Sequence, residues 1–166
     1  IHSYPILNSA SWDWMQLATP TGPGRATAMM NAALTFAKNE TAAVRAYPMT
    51  PTGGTKTTIG AVLPVVMGET GWKAAWTNMA SAIELYTATP INAKAYFDLL
   101  NGWKGTAGAP AAIFYFDGFD EVWKGADDGW GLWDAARNPR YALCGVVAAA
   151  PVCNSPDVYI GIGYYP

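Results

Sequence analysis

The residues best placed to do chemistry are two groups of carboxylates, each directly after an apolar run. Glu69 follows 65–68 (VVMG), and Asp117, Asp120 and Glu121 follow 111–116 (AAIFYF). A carboxylate at the carboxyl end of a parallel strand points into the mouth of a barrel or crevice, where it can be nucleophile, general base or metal ligand. The plainer reading is a loop carboxylate that caps a helix or faces water. At Glu69 the neighbours favour chemistry: Gly68 and Gly71 allow close backbone approach on both sides, and Trp72 supplies a flat face next to it. Segment 117–128 (DGFDEVWKGADD) is denser. Lys124 can pair with Glu121 or Asp120, and Phe116, Phe119, Trp123 and Trp130 interleave with the charges, which a purely solvated face does not need. Several oxygens here suit calcium, but the EF-hand spacing is absent, so a sugar pocket ranks above it.

Other chemistries are poorly served. The stretch 53–57 (GGTKT) lacks the spacing and preceding strand of a phosphate loop. His2 is the single histidine and sits beside the terminus, which argues against a Ser-His-Asp triad. It also leaves Cys144 and Cys153 without the four ligands of a zinc site. A disulfide closing the short loop 145–152 is the better reading of the cysteines, and points to an oxidising compartment: secreted, periplasmic or cell-wall associated. The sequon at Asn39 is compatible with secretion. No cofactor and no metal are expected.

The elements that must position these groups alternate. Residues 1–5 (IHSYP) read as the end of a strand, and 25–38 has apolar residues at helical spacing. Segment 43–47 reads as a short strand, and 50–58 (TPTGGTKTT) as an exposed loop. The run 61–68 (AVLPVVMG) has the length of a buried parallel strand, with Pro64 moving its start to Val65. Thr89, Pro90 and Gly102 predict a helix with N-cap, first-turn proline and C-terminal glycine, with Ile91, Tyr96, Leu99 and Leu100 along one face. Residues 111–116 are a second apolar strand. Strands alternating with helices imply βα units and a parallel α/β sheet.

Composition narrows the partners. Of 166 residues, 51% are hydrophobic and 13% charged, against about 25% charged in ordinary soluble domains. A net charge of −2 provides no basic field for nucleic acid. No apolar run reaches the roughly 18 residues of a membrane helix, and no signal peptide is seen at the start. Eight Trp, nine Tyr and five Phe are the unusual content. Aromatic rings stack on the C–H faces of sugars, and they also serve as core anchors.

Taken with these features, three stretches resemble glycoside hydrolase family 17, the β-1,3-glucanases and related glucanosyltransferases. Segment 66–72 (VMGETGW) is similar to the family's nucleophile strand, whose Glu precedes Thr/Ser-Gly-Trp-Pro. Segment 114–124 (FYFDGFDEVWK) is similar to Phe-Glu-x-Phe-Asp-Glu-x-Trp-Lys, and 129–143 (GWGLWDAARNPRYAL) to the closing Trp-Gly-Leu-Phe and Lys-Tyr-x-Leu segment. Segment 90–100 (PINAKAYFDLL) matches the helix before the last strand, and 1–5 the earlier Tyr-Pro strand. Lys73 and Val122 stand where members carry proline, and Asp127 where plant members carry glutamate.

The resemblance implies a (β/α)₈ TIM barrel, typically about 250 residues, of which this chain covers the C-terminal half, about strands five to eight, in residues 1–143. Residues 144–166 form a tail stapled by Cys144 and Cys153. By the same resemblance Glu69 is the nucleophile of a retaining mechanism on β-1,3-glucan. Glu121, Lys124 and Asp127 hold the surrounding subsite. Tyr4, Trp72, Phe116, Phe119 and Trp130 are candidate sugar-stacking walls, each with barrel packing as its alternative. The family's general acid lies upstream of the Tyr-Pro strand. Glu40 follows Asn39 but stands in the wrong order for that role, so the acid/base must come from an N-terminal half or a partner chain. A half barrel alone exposes sheet edges and an inner face, which predicts association. The competing function is a non-catalytic carbohydrate-binding or structural assembly module; a calcium-dependent surface protein ranks third.

Overall fold

The computed structural model describes residues 1–7, 23–74, 87–124 and 129–147. In chain order the elements are β1 (His2–Ser3), α1 (Pro23–Ala46), β2 (Pro48–Met49), β3 (Thr57–Thr58), α2 (Ile59–Val62), β4 (Met67–Thr70), α3 (Pro90–Trp103) and β5 (Ile113–Tyr115). Short 3₁₀ turns occupy Pro5–Leu7, Val122–Lys124 and Tyr141–Leu143. β1, β4 and β5 form one parallel sheet in that order, and β2 pairs antiparallel with β3. The fold is therefore α/β with a parallel sheet, as the alternation of elements requires.

One face of the sheet is covered by helices. Met29, Met30, Ala33 and Ala37 of α1 and Ala93, Tyr96, Leu100 and Trp103 of α3 bury against Met67, with Ile113 and Tyr115 packed on the same cluster. α3 starts as its sequence dictates: Thr89 Oγ1 accepts from the Asn92 N–H at 3.2 Å, and Pro90 sits in the first turn, where no N–H is needed. It does not stop at Gly102. The helix continues to Trp103, because burying that indole in the core outweighs the glycine signal, and Gly105, at φ +78°, takes the left-handed conformation.

Two strand expectations are corrected. Residues 43–46 complete α1. Good helix formers (Ala42, Ala43, Ala46) carry it on, Thr41 Oγ1 bonds back to the Ala37 carbonyl at 2.9 Å, and Arg45, in the last turn, donates to the Ala109 carbonyl at 2.5 Å. The strand there is only Pro48–Met49. Residues 61 and 62 likewise belong to α2, and β4 begins at Met67, later than Val65. The exposed loop expected over 50–58 is the turn of the β2–β3 hairpin together with β3.

The register of β4 decides which residues reach the site. Met67 pairs with Ile113 and Thr70 with Tyr115, so three steps along β4 match two along β5, a β-bulge. Met67 and Thr70 are both fully buried toward the helices, while Gly68 and Glu69 between them are not. On β1, Ser3 pairs with Thr70 and is buried, and His2 pairs with Glu69. The other face of the sheet thus presents His2, Glu69 and the exposed Phe114 of β5.

Candidate active site

Glu69 stands inside β4, near its carboxyl end, rather than just after the strand. Its side chain is 38% exposed. The Tyr4 hydroxyl donates to Glu69 Oε2 at 2.7 Å, and His2 Nδ1 lies 3.3 Å from the same oxygen. Burial, then the hydrogen bond to Glu69 and the negative charges of Glu69 and Asp117, hold the Tyr4 phenol above its ordinary range, so it remains a donor.

Aromatic rings adjoin this carboxylate. Tyr4 meets Phe116 edge-on at 5.9 Å and Trp130 at 5.3 Å, and Phe116 meets Trp130 at 6.0 Å. The Lys124 ammonium sits 4.8 Å from the centre of the Phe116 ring, pairs tightly with Glu121 and lies 4.0 Å from Asp117. Tyr4, Glu69, Phe116, Glu121, Lys124 and Trp130 therefore form one connected cluster at the carboxyl end of the sheet.

The backbone beneath it is tightly closed. A Cβ on Gly71 would overlap the Phe116 carbonyl, so only glycine lets the ends of β4 and β5 come this near. Gly131 is equally confined, against the Trp133 carbonyl and Asp120. Asp120 does not join Lys124. Its Oδ1 accepts from the Gly131 N–H at 2.9 Å and its Oδ2 pairs with Arg140, fastening the loop after β5 to the segment before Tyr141–Leu143.

The remaining candidates separate. Trp72 is fully buried, with its indole N–H on the Thr87 carbonyl at 2.7 Å and its ring 5.4 Å from that of Tyr96; it is a core side chain here. Phe119 is exposed, tilted against Trp133 at 5.4 Å and covered on one side by the Arg137 guanidinium at 3.9 Å. Asp127 and Cys153 lie outside the described residues, as does most of the tail. Lys73 is buried with its ammonium 5.5 Å from the Trp130 ring. Sequence reasoning passed over His2. Its signal was the position two residues before Tyr4, which in a parallel pair places both side chains along Glu69. Among the described residues no cluster of His, Cys, Asp or Glu has the arrangement of a metal site, and no helix is long and apolar enough to cross a membrane.

No family model and no curated relative matches the chain. Among solved structures, a parallel α/β fold of this kind is found in a crystal structure of an endo-laminarinase from Formosa Hel1_33_131. It aligns with a TM-score of 0.65 at 23% identity, over 98% of this chain and 40% of that chain. The likeness is one of fold, and the chain spans two-fifths of its neighbour's length.

Proposed function

We propose that this chain carries the nucleophile of a retaining glycosidase or glucanosyltransferase acting on β-1,3-glucan. The observation that carries the reading is Glu69, held on the face opposite the helices at the carboxyl end of the central parallel strand by the Tyr4 hydroxyl. In this reading one carboxylate oxygen attacks the anomeric carbon as the glycosidic bond breaks, giving a covalent glycosyl-enzyme. A second carboxyl group, about 5–5.5 Å away in retaining enzymes, gives its proton to the leaving oxygen and then takes one from water or an acceptor sugar. That group is supplied from outside this chain, by an N-terminal half or partner that pairs the β1 and β5 edges and closes a barrel. Tyr4, Phe116 and Trp130 form the sugar wall, and Lys124 neutralises Glu121 and Asp117 beside it. The similarity of fold to an endo-laminarinase supports a glucan as substrate. A secreted, periplasmic or cell-wall location suits a Cys144–Cys153 staple, since disulfides persist in oxidising compartments.

A 2-deoxy-2-fluoro laminaribiosyl fluoride tests the nucleophile directly. Fluoride leaves without needing a proton, so the reagent reads Glu69 whether or not the acid/base is present. The expected result is a covalent adduct on the tryptic peptide 57–73, absent in Glu69→Gln. An adduct on another carboxylate, or no adduct while glucan affinity persists, would sink the nucleophile assignment and favour the non-catalytic binding module.

A further inference from the structure

The contact between His2 and Glu69 is built by strand register and is not a chance meeting of surface side chains. In a parallel pair, register partners project to the same face. Ser3 and Thr70 are the next partners, and both are buried on the helix side, so His2 and Glu69 must share the other face. The Ile1 carbonyl accepts from the Gly68 N–H at 2.7 Å, which locks this register next to the imidazole. The ring also has a seat. Its Nε2 and Cδ2 lie 3.4 and 3.5 Å from where a Cβ on Gly68 would stand, ordinary contact distance, so the imidazole rests against β4.

We infer that His2 is a positioning residue for Glu69 in the proposed reaction, an inference that rests on the reading of Glu69 as nucleophile. Tyr4 and His2 both address Oε2. The Tyr4 hydrogen bond and the imidazole contact on the same oxygen hold the carboxylate's rotation and leave Oε1 as the attacking atom. His2 thus meets a nucleophile that no other histidine of this chain can reach, since it is the only one. The titratable and charged groups around the pair are Glu69 on β4, the Ile1 ammonium and Tyr4 on its own strand, and Asp117, Glu121 and Lys124 on the loop after β5.

The same fluoro-sugar reagent separates the possibilities. His2→Ala is expected to slow adduct formation at Glu69 about tenfold, a reasonable value for losing one polar contact to a charged group. The urea midpoint should stay near wild type, because the side chain is 63% exposed. His2→Asn restores a polar N–H beside Glu69 without the ring, and it is expected to regain most of the rate. His2→Ala labelling at the wild-type rate, or no recovery of rate in His2→Asn, overturns the inference. The contact has a readout free of turnover: the carbon-bound proton resonances of the single imidazole should move on Glu69→Gln. Unchanged resonances overturn the His2 contact while leaving a labelled Glu69 intact, whereas no label on wild-type Glu69 overturns both readings together.

Discussion

Trp72 offers the sharpest contest between a ring that binds sugar and a ring that holds the core. Its side chain has no exposed surface, and its N–H ends on the Thr87 carbonyl. An aromatic side chain of this size buries about 150–250 Å², which at about 25 cal/mol per Å² corresponds to about 4–6 kcal/mol. Residual compactness of the unfolded chain reduces this to about 3–5 kcal/mol, the usual range for removing a buried Trp. Trp72→Ala should therefore lower unfolding free energy by about 3–5 kcal/mol. Trp72→Phe keeps most of the ring and loses the N–H. The Thr87 carbonyl stays satisfied, because Asn92 Nδ2 also donates to it at 3.1 Å. Its cost should be only about 1–2 kcal/mol. Urea titration on the full chain measures both, with an unchanged slope showing that the midpoint shift reflects stability alone. Laminarin affinity of the folded Trp72→Phe protein should match wild type. A Phe variant of undiminished stability that no longer binds laminarin would refute the core placement and return Trp72 to the sugar wall.

Three further outcomes are expected. Gly71→Ala drives a methyl group into the Phe116 carbonyl, which as backbone cannot swing away; it should cost about 1–3 kcal/mol and abolish fluoro-sugar labelling of Glu69, and wild-type labelling would contradict this. Asp120→Ala or Arg140→Met alone leaves a largely buried partner charge, with side chains 9% and 21% exposed in the pair; each should cost about 3–5 kcal/mol, while the double variant falls well short of the sum in a double-mutant cycle. Burial above all raises the phenols of Tyr4, Tyr96 and Tyr115. The stability this contributes is fully present below the unfolded phenol value, about 10, and is lost as pH rises through the higher folded values. Their phenolate absorbance should therefore appear together with alkaline unfolding, and ionisation of all tyrosines before unfolding would contradict it.

Local signals proved readable where one element decides its own form. Thr89 and Pro90 start α3 because cap and ring geometry act within a single turn. The apolar run 111–116 marked β5, whereas the run before Glu69 supplied β4 with only Met67 and Gly68, and the strand continues through Glu69 and Thr70. What stayed hidden was set by distant partners. Residues 43–46 look neutral in sequence, and the Arg45 bond to Ala109, far along the chain, helps hold them helical. Asp120 could be placed beside Lys124 by proximity, but its partner is Arg140, brought near only when the loop after β5 folds back. Trp72 and Trp130 have identical chemistry on paper and join the same core cluster, and only packing separates the ring with no exposed surface from the one that keeps 9% of it beside Tyr4.

The β-bulge in β4 has a consequence for how such a chain can change over time. It acts as a phase shift. Without it, alternation would tie the carboxylate to the same beat as the core residues, so that a slip of one position would exchange inside for outside. With it, Met67 and Thr70 keep the inward beat on either side, while Gly68 and Glu69 occupy an offbeat of their own. Substitutions that retune packing at 67 or 70 therefore need not rotate residue 69. Deleting Gly68 would restore plain alternation, with Met67 in, Glu69 out and Thr70 in, and so erase the bulge without turning the carboxylate inward.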